Sequence, residues 1–229
     1  MKIKHIFFDL DHTLWDFNKN AQETLSELYH ELELGSFLPS FKEFYDQYIE
    51  VNEGLWDLYR NKEITKESLR TVRFVKTFQY FNIQNDSIAN VLGNEYISRG
   101  PYKSNLFPFC HEVLAYLKSK YTLHIITNGF EEVQAVKMES SNLYQYFNQI
   151  ITSEKAGVTK PHPQIFEYAL KAANAIASDS IMIGDNFEVD CVGAEKSGIK
   201  AVYFNPDKIA QNKKVSYEVA HLKELKVLF

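Results

Sequence analysis

Cysteine is scarce in this chain: Cys110 and Cys191 are the whole complement of its 229 residues. Neither belongs to a CxxC pair or to a Cys/His cluster at ligand spacing, so the sequence carries no signature of a cysteine zinc site or of a disulfide framework, and two reduced, partly buried thiols in a cytosolic protein are expected. Runs of consecutive Lys or Arg are also missing, and the formal net charge is -5. That balance gives a nucleic acid polymer nothing to hold. An anionic ligand has to be bound by local charge and by a metal. No segment approaches the ~20 apolar residues of a membrane span. The opening MKIKHIFFDLDHTLWD has an apolar run too short for a signal peptide, with acids directly behind it. The expectation is a cytoplasmic enzyme, with no membrane partner, that works as a monomer or weak homodimer.

Apolar residues make up 45% of the chain, enough for one large domain or a core domain with a smaller second one. Short apolar runs at residues 3–8, 123–127, 180–184 and 200–204, with a fifth candidate at 149–152, read as parallel strands covered on both faces. Helical patterns separate them, at 131–143, 163–175 and 188–197, the last ending at Gly198. Alternating strand and helix predict a doubly wound, Rossmann-like α/β sheet. From 18 to 100 the pattern changes. Phe41, Phe44, Tyr45, Tyr48, Leu55, Leu58 and Tyr59 recur at helical spacing, as do Leu69, Val72, Val75 and Phe78. This predicts an inserted helical cap of four or five helices over 18–100, with 1–17 and 101–229 forming the core.

The polar residues that matter stand at the ends of the apolar runs. The first run leads into Asp9-Leu10-Asp11-His12-Thr13, the second into Thr127-Asn128-Gly129, and a later one into Gly184-Asp185-Asn186, with Asp190 beyond; Lys160-Pro161 opens a helix. In open α/β sheets ligands bind at the carboxyl ends of the strands, so these clusters are expected to converge. Phosphoryl transfer needs an in-line nucleophile, neutralisation of the phosphate oxygens and a proton for the leaving oxygen. Asp9 can supply the nucleophile and Asp11 the general acid. Asp9 and Asp185 are suitable oxygen donors for Mg2+, a hard cation. Thr127 and the backbone N–H groups near Asn128 and Gly129 can hold a phosphate oxygen, and Lys160 adds a point charge. Asp9 must be ionised, whereas Asp11 must carry a proton when the leaving group departs. Lys137 and Lys155 are expected to be solvated.

DLDHTLWD, IITNGF, GVTKPHPQIF and MIGDNFEVD, in this order, resemble the four signature motifs of the haloacid dehalogenase (HAD) superfamily of hydrolases. The resemblance implies a HAD-like core with an inserted cap, Asp9 as the nucleophile of an aspartyl-phosphate intermediate, and Asp11 as acid/base. It implies Mg2+ held by the Asp9 carboxylate, the Asp11 backbone carbonyl and Asp185. Thr127 and Lys160 fall on its phosphate-binding positions and Asp190 on its second acidic position. An acid at Asp11 favours phosphate esters over carbon–halogen bonds.

The insert, IEVNEGLWDLYRNKEIT, is similar to the cap of house-cleaning pyrimidine 5′-nucleotidases, which implies a small phosphate ester, a nucleoside 5′-monophosphate, as substrate. Trp56 and Tyr59 are then candidates to stack on a base; the plainer reading is that they fill a helical core. The alternatives are a sugar or other small-metabolite phosphatase, a phosphosugar mutase, a haloacid dehalogenase, or a receiver-type phosphoacceptor. A receiver takes its acidic pair and its nucleophile from different strands and has no large helical insert.

Overall fold

A computed structural model describes residues 2–229. Short runs of Ile, Phe, Val and Leu form its strands because residues buried on both faces have no need of polar alternation. β1 (His5–Phe8), β2 (Thr122–Thr127), β3 (Phe147–Thr152), β4 (Ser180–Gly184), β5 (Lys200–Phe204) and β6 (Tyr217–Val219) make one sheet in the order β3-β2-β1-β4-β5-β6. Every pairing is parallel. β6 is missing from the sequence reading: it is an edge strand of three residues, of which only Val219 is buried, so it leaves no apolar run.

The chain divides into two units. One holds the chain up to Phe17 and from Ser104 to Phe229; the other is Asn18–Lys103. In the first unit, Ile6, Phe8, Ile125, Ile183 and Val202 face a cluster closed by α5 (Cys110–Lys118) and by Met138 of α6 (Glu131–Ser140). Alternate strand residues Phe7, Ile126 and Met182 point to the other face, where α8 (Pro163–Ala173) covers them with Ile165, Phe166 and Ala169. α6 (Glu131–Ser140) leaves the turn after β2, and a single turn, α7 (Ser153–Ala156), follows β3. Beyond β4 the chain winds through a π-helical turn, Phe187–Val192, into α9 (Gly193–Lys196), where one continuous helix was expected. Gly198 ends it at φ 79, a conformation that suits a residue without Cβ. α10 (Leu225–Leu228) closes the chain.

The second unit is helical. α1 (Phe17–Glu31) leads into it, followed by α2 (Phe41–Arg60), α3 (Lys66–Tyr80) and α4 (Asp86–Arg99). Each of the last three starts on a capping side chain. Ser40 forms a capping box with Glu43, Thr65 accepts from Ser68 N–H at 3.2 Å, and Asn85 from Ile88 N–H at 3.2 Å. Stacked Tyr48 and Phe74 rings, 5.3 Å apart, sit at its centre with Phe44, Phe78 and Tyr96 around them.

Candidate active site

The strand order reverses direction about β1: the chain goes from β1 to β2 on one side and later to β4 on the other. At such a switch point the loops beyond the carboxyl ends part and leave a crevice. Asp9 follows β1 directly, and its N–H donates to Ile183 O of β4 at 2.9 Å, so the parallel ladder carries its Cα into that crevice. The next residues fold back tightly: Leu14 and Trp15 N–H both donate to Leu10 O, and His12 N–H to Trp15 O, each at 2.9 Å.

Lys160 is the centre of the charge arrangement. Its side chain is 2% exposed, and Nζ donates to Asp9 Oδ1 at 2.6 Å, Asp190 Oδ1 at 2.7 Å and Ile126 O at 2.8 Å. All three ammonium hydrogens thus have acceptors. Asn128 fixes the loop that brings the lysine in: its Oδ1 accepts from Lys160 N–H at 2.7 Å, and its Nδ2 donates to Lys160 O at 3.0 Å. Thr13 donates to Asp185 Oδ1 at 2.9 Å. Asp190, beyond the turn, accepts from the Asn186 N–H at 3.0 Å.

Oxygen atoms of Asp9, Asp185 and Asp190 lie within 4.8 Å of one another. Burial pushes the Asp9 carboxyl well above the usual carboxylate range; Lys160 opposes this, and the charges of Asp190 and Asp185 add to it. Asp185 is pushed up to about 7, by burial first and by Asp190 second. Three carboxylates against one ammonium leave two negative charges, the charge that one divalent cation neutralises. The donors are hard oxygens, and Mg2+ fits them.

Thr127 Oγ1 accepts from Gly129 N–H at 3.0 Å and from Gln134 Nε2 at 2.9 Å. Both acceptor positions of the hydroxyl are filled, which leaves its hydrogen to donate. The Gly129 N–H, expected to hold a phosphate oxygen, is committed to Thr127, and the Asn128 side chain to Lys160.

Asp11 differs from the sequence expectation in its surroundings. Its carboxylate is bound from α6: Lys137 Nζ donates to Oδ1 at 2.6 Å and Gln134 Nε2 to Oδ2 at 2.8 Å. Burial raises the carboxyl, but the Lys137 charge and the two donors outweigh it, and the group is held below the ordinary aspartate value. The expectation of a solvated Lys137 is therefore wrong: the residue is 6% exposed and paired. Gln134 reads in the sequence as an ordinary polar helix residue. The one signal available was spacing, since residues three apart share a helix face. Lys155 is exposed, as expected, and pairs with Glu131 at 3.1 Å.

Trp56 and Tyr59 lie on α2 in the second unit, half-buried, with their rings edge to face at 5.7 Å. Among the described residues, no helix is long and apolar enough to cross a membrane.

The family model of haloacid dehalogenase-like hydrolases matches residues 3–198. The chain belongs to that family. As a HAD-like hydrolase it is an enzyme, and its parallel sheet is the HAD-like core. It is 30% identical to the pyrimidine 5′-nucleotidase YjjG of Escherichia coli (strain K12), over 100% of this chain and 98% of that one. It is 28% identical to the pyrimidine 5′-nucleotidase PynA of Streptococcus pneumoniae, over 98% and 94%. The crystal structure of the HAD-hydrolase YfnB from Bacillus subtilis bound to magnesium superposes with a TM-score of 0.90 at 24% identity, covering 100% of this chain and 99% of that one.

Proposed function

We propose that this HAD-like hydrolase is a phosphatase that releases inorganic phosphate from nucleoside 5′-monophosphates, pyrimidine ones above all. The observation that carries the chemistry is the Asp9 carboxylate, set at the switch point with one oxygen tied to Lys160 and beside Asp185 and Asp190. The nucleotide preference is supported by end-to-end similarity to two pyrimidine 5′-nucleotidases.

Asp9 Oδ1 is held by Lys160, which leaves Oδ2 to attack phosphorus. The Oδ2–P bond forms as the ester P–O bond breaks, and the leaving oxygen takes a proton from Asp11, which Lys137 and Gln134 hold ionised at rest and which takes that proton from solvent as the substrate binds. Water then attacks the aspartyl-phosphate, gives a proton to Asp11, and releases phosphate and the Asp9 carboxylate. Thr127 donates to a phosphate oxygen, and Lys160 offsets its charge. Mg2+ would be held by the Asp9 and Asp185 carboxylates and the Asp11 carbonyl, with Asp190 holding Lys160 and Asn186 in place. When bound it supplies charge neutralisation to the phosphate. Trp56 and Tyr59 are proposed to contribute to base recognition.

The test is phosphate release from dUMP, dTMP and hexose phosphates, with Mg2+ and with EDTA, by the wild type and Asp9→Asn. Release from the two nucleotides, lost in EDTA and in Asp9→Asn, is expected. Preference for the hexose phosphates would end the nucleotide reading, and substantial turnover by Asp9→Asn would end the nucleophile assignment.

A further inference from the structure

Gln134 and Lys137 project from one face of α6, and both side chains end on one carboxylate. Each oxygen of Asp11 has its own donor: Oδ2 takes Gln134 Nε2 at 2.8 Å, and Oδ1 takes Lys137 Nζ at 2.6 Å. The same Gln134 Nε2 reaches Thr127 Oγ1 at 2.9 Å, so one amide joins Asp11 to Thr127. The room for that amide depends on Gly129, where an added Cβ would lie 1.8 Å from Gln134 Nε2. Lys137 is confined as well. Its ammonium stands 4.1 Å from the centroid of the Trp15 ring and 5.7 Å from that of Phe17, and both rings come from the segment just after Asp11. Holding a lysine this way sacrifices much of its rotamer freedom, and an ammonium leaves water only for a well-placed partner. A surface helix needs no such arrangement for its own stability.

Resting on the phosphatase reading above, we propose that Gln134 and Lys137 are positioning residues for the leaving-group step. Together they fix the Asp11 carboxylate at both oxygens, and Gln134 sets its place relative to the phosphate-holding Thr127. Neither residue touches the reacting atoms. They act through Asp11, the group that serves the ester oxygen.

The consequence depends on the leaving group. An alkyl ester oxygen leaves as a strong base and needs a well-placed acid, whereas nitrophenolate is a weak base and departs with little help. Disordering Asp11 therefore slows alkyl phosphates more than aryl phosphates.

The experiment measures single-turnover rates for dUMP and for p-nitrophenyl phosphate, so that hydrolysis of the phosphoenzyme does not enter. The proteins are the wild type, Lys137→Met, Lys137→Arg, Gln134→Leu and Asp11→Asn, with thermal unfolding checked for each. The dUMP to p-nitrophenyl phosphate rate ratio is expected to fall by about tenfold or more in Lys137→Met and Gln134→Leu. Lys137→Arg, which keeps a charged donor, is expected to restore it to within about threefold. In the double variant Asp11→Asn/Lys137→Met the ratio should fall no further than in Asp11→Asn alone. Equal slowing of both substrates, or an additive fall in the double variant, would overturn the proposal and leave a merely structural clamp. If Lys137→Met does not fold, Gln134→Leu and Lys137→Arg decide. A wild type that releases phosphate from neither ester overturns the phosphatase reading instead, so the two failures are distinct.

Discussion

A Cβ built on Gly184 would lie 2.3 Å from Asp190 Oδ2 and 2.5 Å from Asp190 Cβ. Gly184 ends β4, directly before Asp185, and the Asp190 side chain fills the space that any other residue at 184 would need. The clash reaches the root of the side chain, so a rotamer change does not relieve it. Gly184→Ala is expected to lose about 1–3 kcal/mol of stability through overpacking. It should also weaken the hold of Asp190 on Lys160. Urea unfolding and initial rates check this; unchanged values of both would show that the turn after β4 yields without cost.

Lys160 has a second claim to test. It is the one ammonium hydrogen-bonded to Asp9 and Asp190 among the described residues, and it is buried with them. Lys160→Met leaves two buried carboxylates uncompensated, a change worth about 3–5 kcal/mol when one partner of a buried pair is removed. The loss should be larger at pH 8 than at pH 5, because at the lower pH the raised carboxyls of Asp9 and Asp185 take up protons and the repulsion fades. A pH-independent loss below about 1 kcal/mol would contradict the arrangement.

Metal and proton compete for the same oxygens. Without metal, Asp185 is raised to about 7, so between its ordinary value and about 7 the folded chain binds more protons than the unfolded one. Stability then falls as pH rises through that window. Asp9, raised for the same cause, adds to the trend. Mg2+ binding replaces those protons, so the rise in Tm on adding Mg2+ should be greater at pH 8 than at pH 5.5. Scanning calorimetry with and without EDTA measures it, and an equal rise at both values would remove Asp185 from the metal site.

How much of this was legible in the sequence follows from distance along the chain. The runs at Ser180–Gly184 and Lys200–Phe204 are strands to the residue, because a fully buried parallel strand writes its burial into consecutive apolar positions. Asp9, Asp11, Thr127, Lys160 and Asp185 were legible because they sit at ends of such runs or in motifs. Gln134 and Lys137 were not. Each looks like an ordinary polar residue of a solvated helix, and their common partner Asp11 lies 123 and 126 positions away. Pairings of that kind exist only once the sheet has brought β1 and β2 side by side. The π-helical turn at Phe187–Val192 was equally hidden, since Phe187, Asp190 and Cys191 at that spacing fit a regular helix well enough.

The helical unit carries a test of its own. Arg73 is 6% exposed; its Nε donates to Leu69 O at 3.1 Å and its Nη1 to Asn52 Oδ1 at 3.1 Å, and its guanidinium lies 5.8 Å from the centroid of the Tyr96 ring. Among the described residues no carboxylate pairs with it, so the Asn52 amide is a principal acceptor for a buried cation. Asn52→Leu removes that acceptor and keeps the volume, and should cost about 1–3 kcal/mol. Arg73→Met in the same chain removes the stranded donor as well. The double variant should therefore be more stable than additivity of the two single changes predicts, by about 1 kcal/mol or more. Urea unfolding of the four proteins closes the cycle. Strict additivity would mean that Asn52 and Arg73 are neighbours without being partners.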